Sequence, residues 1–364
     1  MEARAAVLEQ FNEPLIIRSF PIPQLKEGQV LVKVVAAGVC GSDVHMWEGR
    51  DPRIQLPMIP GHEGVGEIVE LKGTRRDIHG TPLQIGDKIL WNRSITCGHC
   101  YFCKIKGVPS LCPYRWVYGI HTTCSRPPHL TGNYAQYLLL VPETDLFKIE
   151  SNFELQTFVT ASCSGATAAH AFSLSGMETG DSVLVQGLGP LGIFAVALSA
   201  SSGASHIIAV GGTEERLMMA QAFGATHLLN RHRLSLKERK EVVEALTAGR
   251  GVDLAFEMAG EPEALKECIS HVRNGGTCVS AGFGEPHGTI EMDCFYDLNR
   301  KNLRLQGIWA SDVRHTHMAI QLISKRPQDF NRLITHAFPL AQANEAIRVM
   351  KNKEAVKAVL LPHG

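Results

Sequence analysis

A glycine-rich turn between an apolar strand and an apolar helix constrains the fold of this chain more than any other feature. The turn follows the run 183–186 and has the pattern Gly-x-Gly-x-x-Gly. It consists of Gly187, Leu188, Gly189, Pro190, Leu191 and Gly192. In such a turn the first glycine allows a sharp bend, the second lets a pyrophosphate approach the backbone, and the third permits close helix packing. The pattern predicts a dinucleotide-binding βαβ unit.

The two halves of the chain differ in hydrophobic pattern. Up to about residue 160, short β-rich runs alternate with glycine and proline, which predicts a mostly antiparallel, irregular β domain. Beyond it, predicted strands at 182–186, 206–210 and 254–257 alternate with helices, which is typical of a doubly wound parallel sheet. We therefore predict an α/β protein in which residues 1–160 and 313–364 form one domain and 161–312 the other.

Composition limits the classes of partner. The 364 residues carry 36 Lys and Arg against 36 Asp and Glu, so no overall charge attracts nucleic acid or an acidic membrane. No run of about 18 apolar residues and no leader-like start is seen, so we expect a cytoplasmic protein that acts on a small molecule.

The strand 207–210 leads into a segment that bears on cofactor choice. About 20 residues after the first glycines, a carboxylate that binds the ribose hydroxyls of NAD is expected, but Gly211, Gly212 and Thr213 stand there. Thr213 and Arg216 could bind a 2′-phosphate, so we favour NADP(H) over NAD(H). Alternatively, Arg216 is simply solvated and one of the adjacent glutamates serves NAD.

Four cysteines crowd one polar loop. Cys97, Cys100, Cys103 and Cys112 have the spacing C-x2-C-x2-C-x8-C. Four thiolates can close a tetrahedron around zinc and leave no position open, which predicts a structural zinc site.

A second set of possible ligands is dispersed along the chain. Cys40, the pair His62 and Glu63, and Cys163 could together supply two thiolates and an imidazole, with a fourth position left for water or substrate. Zinc held in this way polarises an alcohol oxygen. Because cysteine is common in protein cores, Cys163 could instead be a core residue.

These motifs, in this order, resemble the zinc-dependent alcohol dehydrogenases of the medium-chain dehydrogenase/reductase family. The resemblance covers essentially the whole chain and rests on the segments 38–45, 61–66, 86–87 and 257–260, the cysteine loop and the glycine turn. It implies a GroES-like β domain, a Rossmann domain, two zinc ions per chain and hydride transfer between a small alcohol and its aldehyde or ketone. It also implies a homodimer or homotetramer.

The resemblance implies roles at the catalytic metal. Cys40, His62 and Cys163 match the zinc ligands, and Glu63 matches a carboxylate that can exchange onto the metal. Asp43 matches the acid that holds the zinc-binding histidine ring in one tautomer.

It further implies a proton relay and two cofactor contacts. Ser42 matches the hydroxyl that takes the proton of the alcohol, and His45 would pass that proton to solvent. Thr167 matches a residue near the nicotinamide, and Lys357 a cation near the cofactor phosphates.

The sequence departs from the family pattern at both cysteine sites. Eight residues separate Cys103 from Cys112, where the family usually has seven between the third and fourth cysteines. Cys163 stands where many polyol dehydrogenases have glutamate, which weakens a sorbitol-type activity without excluding it. A zinc-free quinone or enone reductase and a non-enzymatic binding protein are competing interpretations of the same scaffold.

The long loop 116–133 and the residue before it have four basic side chains that could meet an anionic substrate, although we favour solvated loop residues. These are Arg115, His121, Arg126 and His129.

Overall fold

The structure is a computed structural model that describes residues 2–150 and 152–364. The chain divides into two compact units, Met1–Cys163 with Ser311–Gly364, and Ser164–Ala310. The C-terminal segment thus belongs to the first unit, and both boundaries lie a few residues from those predicted at 160/161 and 312/313. No helix in the described ranges combines the length and apolarity that crossing a bilayer requires.

The strands, in chain order, are β1 (Glu2–Val7), β2 (Ile16–Pro21), β3 (Val30–Val39), β4 (Gly64–Leu71), β5 (Lys88–Trp91), β6 (Ser94–Ile95), β7 (Trp116–Val117), β8 (Tyr137–Leu140), β9 (Leu146–Lys148), β10 (Ser182–Gln186), β11 (His206–Gly211), β12 (His227–Asn230), β13 (Val252–Glu257), β14 (Val272–Ser280), β15 (Arg304–Gly307), β16 (Ile334–Pro339) and β17 (Lys357–Leu361).

The α-helices are α1 (Gly41–Trp47), α2 (Tyr101–Lys104), α3 (Ser164–Ser175), α4 (Pro190–Ser201), α5 (Glu214–Phe223), α6 (Leu236–Leu246), α7 (Pro262–His271), α8 (Val313–Lys325), α9 (Pro327–Asn331) and α10 (Ala343–Lys351). Shorter helical turns of 3-10 type cover Pro109–Leu111, Leu155–Ser162 and Leu340–Gln342, and a π-type turn covers Cys294–Asn299.

The first unit is built on a mostly antiparallel sheet with the order β16-β17-β3-β4-β5-β9, with β8 also paired to β3. Strand β3 is buried along nearly its whole length because neighbours lie on both its edges and its sequence is rich in valine and alanine. The end of β3 and the start of β4 are therefore held in place by the sheet. The possible ligand Cys40 follows the end of β3, and His62 and Glu63 precede the start of β4.

The second unit is a six-stranded parallel sheet with the order β12-β11-β10-β13-β14-β15. This is the 3-2-1-4-5-6 order of the Rossmann fold, in which ligands bind beyond the carboxyl ends of the strands. The α/β fold class predicted from the alternating pattern is confirmed.

Two elements of this sheet region, β12 and α6, were not predicted from the sequence. Strand β12 is only four residues long and helix α6 is dominated by charged residues, so neither shows a strong hydrophobic period. Helix α4 begins at Pro190, inside the glycine turn, because a proline at the first helical position lacks only an N–H that has no partner there.

Candidate metal and dinucleotide sites

Four possible metal ligands meet inside the first unit. Cys40 caps α1 directly after β3, His62 and Glu63 immediately precede β4, and Cys163 follows the helical turn Leu155–Ser162. One ligand atom from each lies within 4.8 Å of the others, and all but Cys40 are buried. The fold therefore brings together the dispersed set predicted from the sequence.

A buried carboxylate orients the histidine of this cluster. Asp43 Oδ1 lies 3.3 Å from His62 Nδ1, while Asp43 Oδ2 accepts the Cys40 backbone N–H at 2.8 Å. Burial opposes protonation of His62, but the charge and hydrogen bond of Asp43 outweigh it and raise the pKa of His62 to about 9. The other ring nitrogen, Nε2, faces Cys163 Sγ at 3.4 Å and is the one available to a metal.

The two sulfurs of the cluster are joined by a hydrogen bond. The hydrogen bond with Cys163 lowers the pKa of Cys40 well below its ordinary value, and the same hydrogen bond, together with burial, raises the pKa of Cys163. A metal cation bound by both sulfurs would replace that hydrogen bond. Two sulfurs, an imidazole nitrogen and a carboxylate oxygen at these separations fit zinc.

Lys357 is buried beside this cluster and forms an ion pair with Glu63. Its Nζ lies 2.5 Å from Glu63 Oε2, and the two side chains are at most 1% exposed. Burial favours the neutral amine, but the charge of Glu63 outweighs it and raises the pKa of Lys357. The structure therefore gives Lys357 a carboxylate partner in place of the cofactor phosphates suggested by the resemblance.

The predicted proton relay lies on one short helix. Ser42 and His45 are three residues apart on α1, so they occupy neighbouring positions of one helix face. Ser42 Oγ lies 4.0 Å from Cys40 Sγ. Both side chains are partly exposed, as a route from a buried site to solvent requires.

The cysteine loop forms a second cluster. The four sulfurs lie within 4.8 Å of one another, with separations of 3.5 Å between Cys97 and Cys112 and between Cys100 and Cys103. The Cys100 backbone N–H donates to Cys97 Sγ at 3.3 Å, as in loops that wrap around a metal. A helical turn, Pro109–Leu111, precedes Cys112, and the longer spacing still leaves all four sulfurs within 4.8 Å of one another.

The glycine turn has the geometry that its pattern requires. Gly187 has a φ of +96°, and a Cβ there would lie 2.6 Å from the Ala259 nitrogen. A Cβ on Gly192 would lie 1.8 Å from the Gly187 oxygen, whereas one on Gly189 would meet open space. Gly189 caps α4, so the open space lies at the amino end of a helix, where a pyrophosphate binds.

The other three residues of the glycine turn pack against neighbouring backbone or begin helix α4. Leu188 is buried and its side chain lies against Gly211, while Pro190 and Leu191 form the half-buried first turn of α4. Thr167 lies half-buried in the first turn of α3.

The end of β11 has basic neighbours that sequence reasoning missed. A Cβ on Gly212 would lie 2.9 Å from His232 Nε2 and 3.2 Å from Arg231 Nε. Thr213 caps α5 by accepting the Arg216 backbone N–H at 3.4 Å. These side chains belong to the basic run 231–233, which follows β12. The run lies beside Gly212 only because β12 pairs with β11, and the sequence contains no strong indication of β12.

The basic loop residues have different environments. Arg126 is exposed, and His129 stacks on Phe20. Arg115 and His121 are partly buried and are not simply solvated. A further basic residue, Arg93, lies in no sequence motif, and its Nη1 donates to Cys163 Sγ at 2.9 Å.

Comparisons with known proteins agree with these sites. Residues 26–151 match the alcohol dehydrogenase GroES-like domain, and residues 190–325 match the zinc-binding dehydrogenase family. The 5-exo-hydroxycamphor dehydrogenase of Pseudomonas putida is 30% identical over 98% of each chain.

Solved structures match the chain as well. An alcohol dehydrogenase from Thermotoga maritima is 43% identical, with a TM-score of 0.97 over 99% of each chain. A protein from Sinorhizobium meliloti described as a zinc-binding dehydrogenase, solved with NADP bound, is 26% identical, with a TM-score of 0.86 over 100% of each chain.

Proposed function

Since the chain belongs to the zinc-dependent alcohol dehydrogenases of the medium-chain dehydrogenase/reductase family, we propose that its reactive zinc ion is held by Cys40, His62 and Cys163 and that NADP(H) is its preferred cofactor. The protein is an oxidoreductase that transfers a hydride between an alcohol, its aldehyde or ketone, and a nicotinamide cofactor. A second zinc ion in the cysteine loop, a homodimer or homotetramer, and a cytoplasmic location are part of the proposal.

The observation that carries the proposal is the buried cluster of two thiols, one imidazole and one carboxylate within 4.8 Å. A zinc ion bound there acts as a Lewis acid that makes an alcohol hydroxyl easier to deprotonate. Asp43 keeps Nε2 of His62 directed at the metal, and Lys357 holds the Glu63 carboxylate in place. This ligand set also argues against a zinc-free quinone or enone reductase.

The chain's own residues move the proton. Ser42 accepts it from the substrate hydroxyl, and His45, on the same face of α1, releases it to solvent. When the cofactor is bound, its nicotinamide accepts the hydride. Thr167 is proposed to contact that ring.

The preference for NADP(H) rests on the end of β11. Gly211 and Gly212 present no carboxylate, and the exposed side chains of Arg231 and His232 lie next to Gly212. A 2′-phosphate placed there would receive charge-assisted hydrogen bonds, whereas the 2′-hydroxyl of NAD would leave both basic side chains without an anion. Thr213 and Arg216 are proposed as further contacts.

Replacing one sulfur ligand tests the metal assignment. Cys40→Ser should lower the zinc content from two ions per chain to one and abolish alcohol oxidation, because a serine hydroxyl is a poor zinc ligand. Cofactor binding, measured by fluorescence titration with NADPH, should stay unchanged. Cys124→Ser is a matched control, since Cys124 is a buried free cysteine outside both clusters. Full activity in Cys40→Ser would refute the assignment.

A further inference from the structure

A guanidinium group lies directly beside the buried metal cluster. Arg93 follows β5, and its Nη1 donates to Cys163 Sγ at 2.9 Å. Its Nε is buried and has no hydrogen-bond partner among the described residues. Arg93 therefore has a donor to spare at the position where the reaction takes place.

A second guanidinium group lies close to the first. Strands β6 and β7 pair Ser94 with Val117, which brings Arg115 next to the segment of Arg93. Arg115 Nη1 donates to Ser94 Oγ at 3.0 Å. Burial, followed by repulsion from Arg93 and Arg53, lowers the pKa of Arg115 to about 10. These cationic groups are thus close enough to repel one another in a partly buried place.

The nearby carboxylate does not balance this charge. Asp51 is bound by Arg53, whose Nε and Nη2 donate to its two oxygens at 2.7 and 2.5 Å. Within residues 2–150 and 152–364, no ion pair joins Arg93 or Arg115 to a carboxylate. Asp51 is therefore taken by Arg53, and the guanidinium groups of Arg93 and Arg115 have no carboxylate partner in the described ranges.

His121 adds a neutral donor to the same place. Its Nδ1 accepts the Val117 backbone N–H at 2.9 Å. Burial, together with repulsion from Arg53 and Arg115, lowers the pKa of His121 to about 4, so the ring is neutral at pH 7 and keeps its proton on Nε2.

The sulfur of Cys163 is the remaining partner of Arg93. Arg93 Nη1 donates to Cys163 Sγ, which would be a thiolate when a metal is bound. Two thiolates and one zinc ion have no net charge, however, and the Glu63 carboxylate is paired with Lys357, so binding of the metal leaves Arg93 without an ion-pair partner among the described residues. An uncompensated charge in a partly buried site is costly, and a ligand of opposite charge removes that cost.

We propose that the substrate of this enzyme carries, besides its alcohol or carbonyl group, an oxyanion that Arg93 and Arg115 bind. This rests on the proposed zinc site and adds the class of substrate. A carboxylate, a phosphate and a phosphonate all fit this requirement. Each presents two anionic oxygens that can accept hydrogen bonds from the two nitrogens of one guanidinium group. His121 donates a further hydrogen bond through Nε2.

Three aldehydes that differ in the group at their far end test this proposal. The rates of reduction of butanal, 4-oxobutanoate and glycolaldehyde phosphate by NADPH are measured as kcat/KM. The enzymes are the wild type, Arg93→Met, Arg93→Lys, Arg115→Met and the exposed-loop control Arg126→Gln. We expect the wild type and the control to favour one anionic aldehyde over butanal. In Arg93→Met and Arg115→Met the ratio of kcat/KM for the anionic aldehyde to kcat/KM for butanal should fall by about ten- to a hundredfold, as for loss of a hydrogen bond to a charged group. Arg93→Lys should keep part of it.

The outcomes are distinguishable. Preference for 4-oxobutanoate or for the phosphate identifies the anion. A wild type that favours butanal, or a ratio unchanged in both methionine variants, overturns the proposal. So does a rise confined to the KM for NADPH, which would assign the arginines to the cofactor. Loss of zinc from Arg115→Met with an unchanged ratio would assign Arg115 to the cysteine loop. No reduction of any aldehyde by the wild type would instead refute the proposed function.

A binding measurement covers the case in which variants fail to fold. Methylphosphonate is titrated by calorimetry into the wild-type enzyme saturated with zinc and NADP, so that the cofactor phosphate site is already filled. Saturable binding that weakens with added salt supports the proposal, and absence of binding together with a preference for butanal overturns it.

Discussion

Lys357 shows how much one buried charge depends on its partner. Its ammonium group and the Glu63 carboxylate are almost completely removed from water and lie 2.5 Å apart. Such a pair adds little net stability compared with apolar residues, but removing one partner leaves the other charge buried and alone. Because Glu63 also belongs to the proposed zinc site, its contact with Lys357 determines where that carboxylate lies in the zinc-free protein.

Lys357→Met should therefore destabilise the zinc-free protein by about 3 to 5 kcal/mol, the range seen when one member of a buried ion pair is removed. Denaturant unfolding of the protein stripped with a chelator measures this. Lys351→Met is the control, since Lys351 pairs with Glu48 at the surface and should cost at most about 1 kcal/mol. An equal loss of unfolding free energy in the two variants would show that the buried pair of Lys357 and Glu63 matters no more than a surface pair.

The parallel pairing of β11 and β12 decides which side chains face the proposed 2′-phosphate position. The register aligns Gly211 with Asn230, so Gly212 and the basic run that begins at Arg231 leave the sheet side by side. In the chain these segments are separated by a whole helix, α5. The proposed cofactor preference is thus a property of two adjacent strand ends.

Arg231→Ala and His232→Ala should each lower the ratio of kcat/KM for NADPH over NADH by about tenfold, because each removes a charge-assisted hydrogen bond to the phosphate. Arg233→Ala is a matched control from the same run, since Arg233 pairs with Glu214 at 3.3 Å. The proposed site is wrong if all three variants change the ratio equally or none changes it.

Stability of the whole molecule against acid depends on a buried network in the second unit. Glu267 on α7 accepts hydrogen bonds from Arg239 on α6 at 2.6 and 2.8 Å and from Gln186 of β10 at 2.8 Å. Burial favours its neutral form, but the hydrogen bonds from His271, Arg239 and Gln186 outweigh burial and lower the pKa of Glu267 to about 2. Two helices and the central strand are joined through this carboxylate.

A carboxyl with a lowered native pKa stabilises the fold at pH values above its unfolded pKa, about 4.3, and that contribution is lost as the pH falls towards 2. Wild-type protein should therefore exceed Glu267→Gln in free energy of unfolding by about 2 to 3 kcal/mol at pH 6, and the difference should shrink steadily below pH 4.3. Urea unfolding at several pH values measures it, with Glu263→Gln, an exposed change on the same helix, as control. A difference that does not depend on pH would contradict this account.

Sequence patterns predicted those parts of the sites in which the signal is local. The glycine turn lies within six consecutive residues and the cysteine loop within 16, so spacing alone indicates their chemistry. The dispersed cluster of Cys40, His62 and Cys163 became a prediction through the resemblance, since its members are far apart in the chain. Arg93 and Arg231 were missed because neither lies in a motif.

The sequence by itself determined the α/β class, the glycine turn of the βαβ unit and the cluster of four cysteines, because each depends on residues that are neighbours in the chain. Only the tertiary structure decided that Lys357 faces Glu63, that Arg93 contacts Cys163, and that the basic run after β12 lies beside Gly212. Those contacts join residues separated by tens to hundreds of positions. Strand register and packing set such distances, and no short segment of sequence records them.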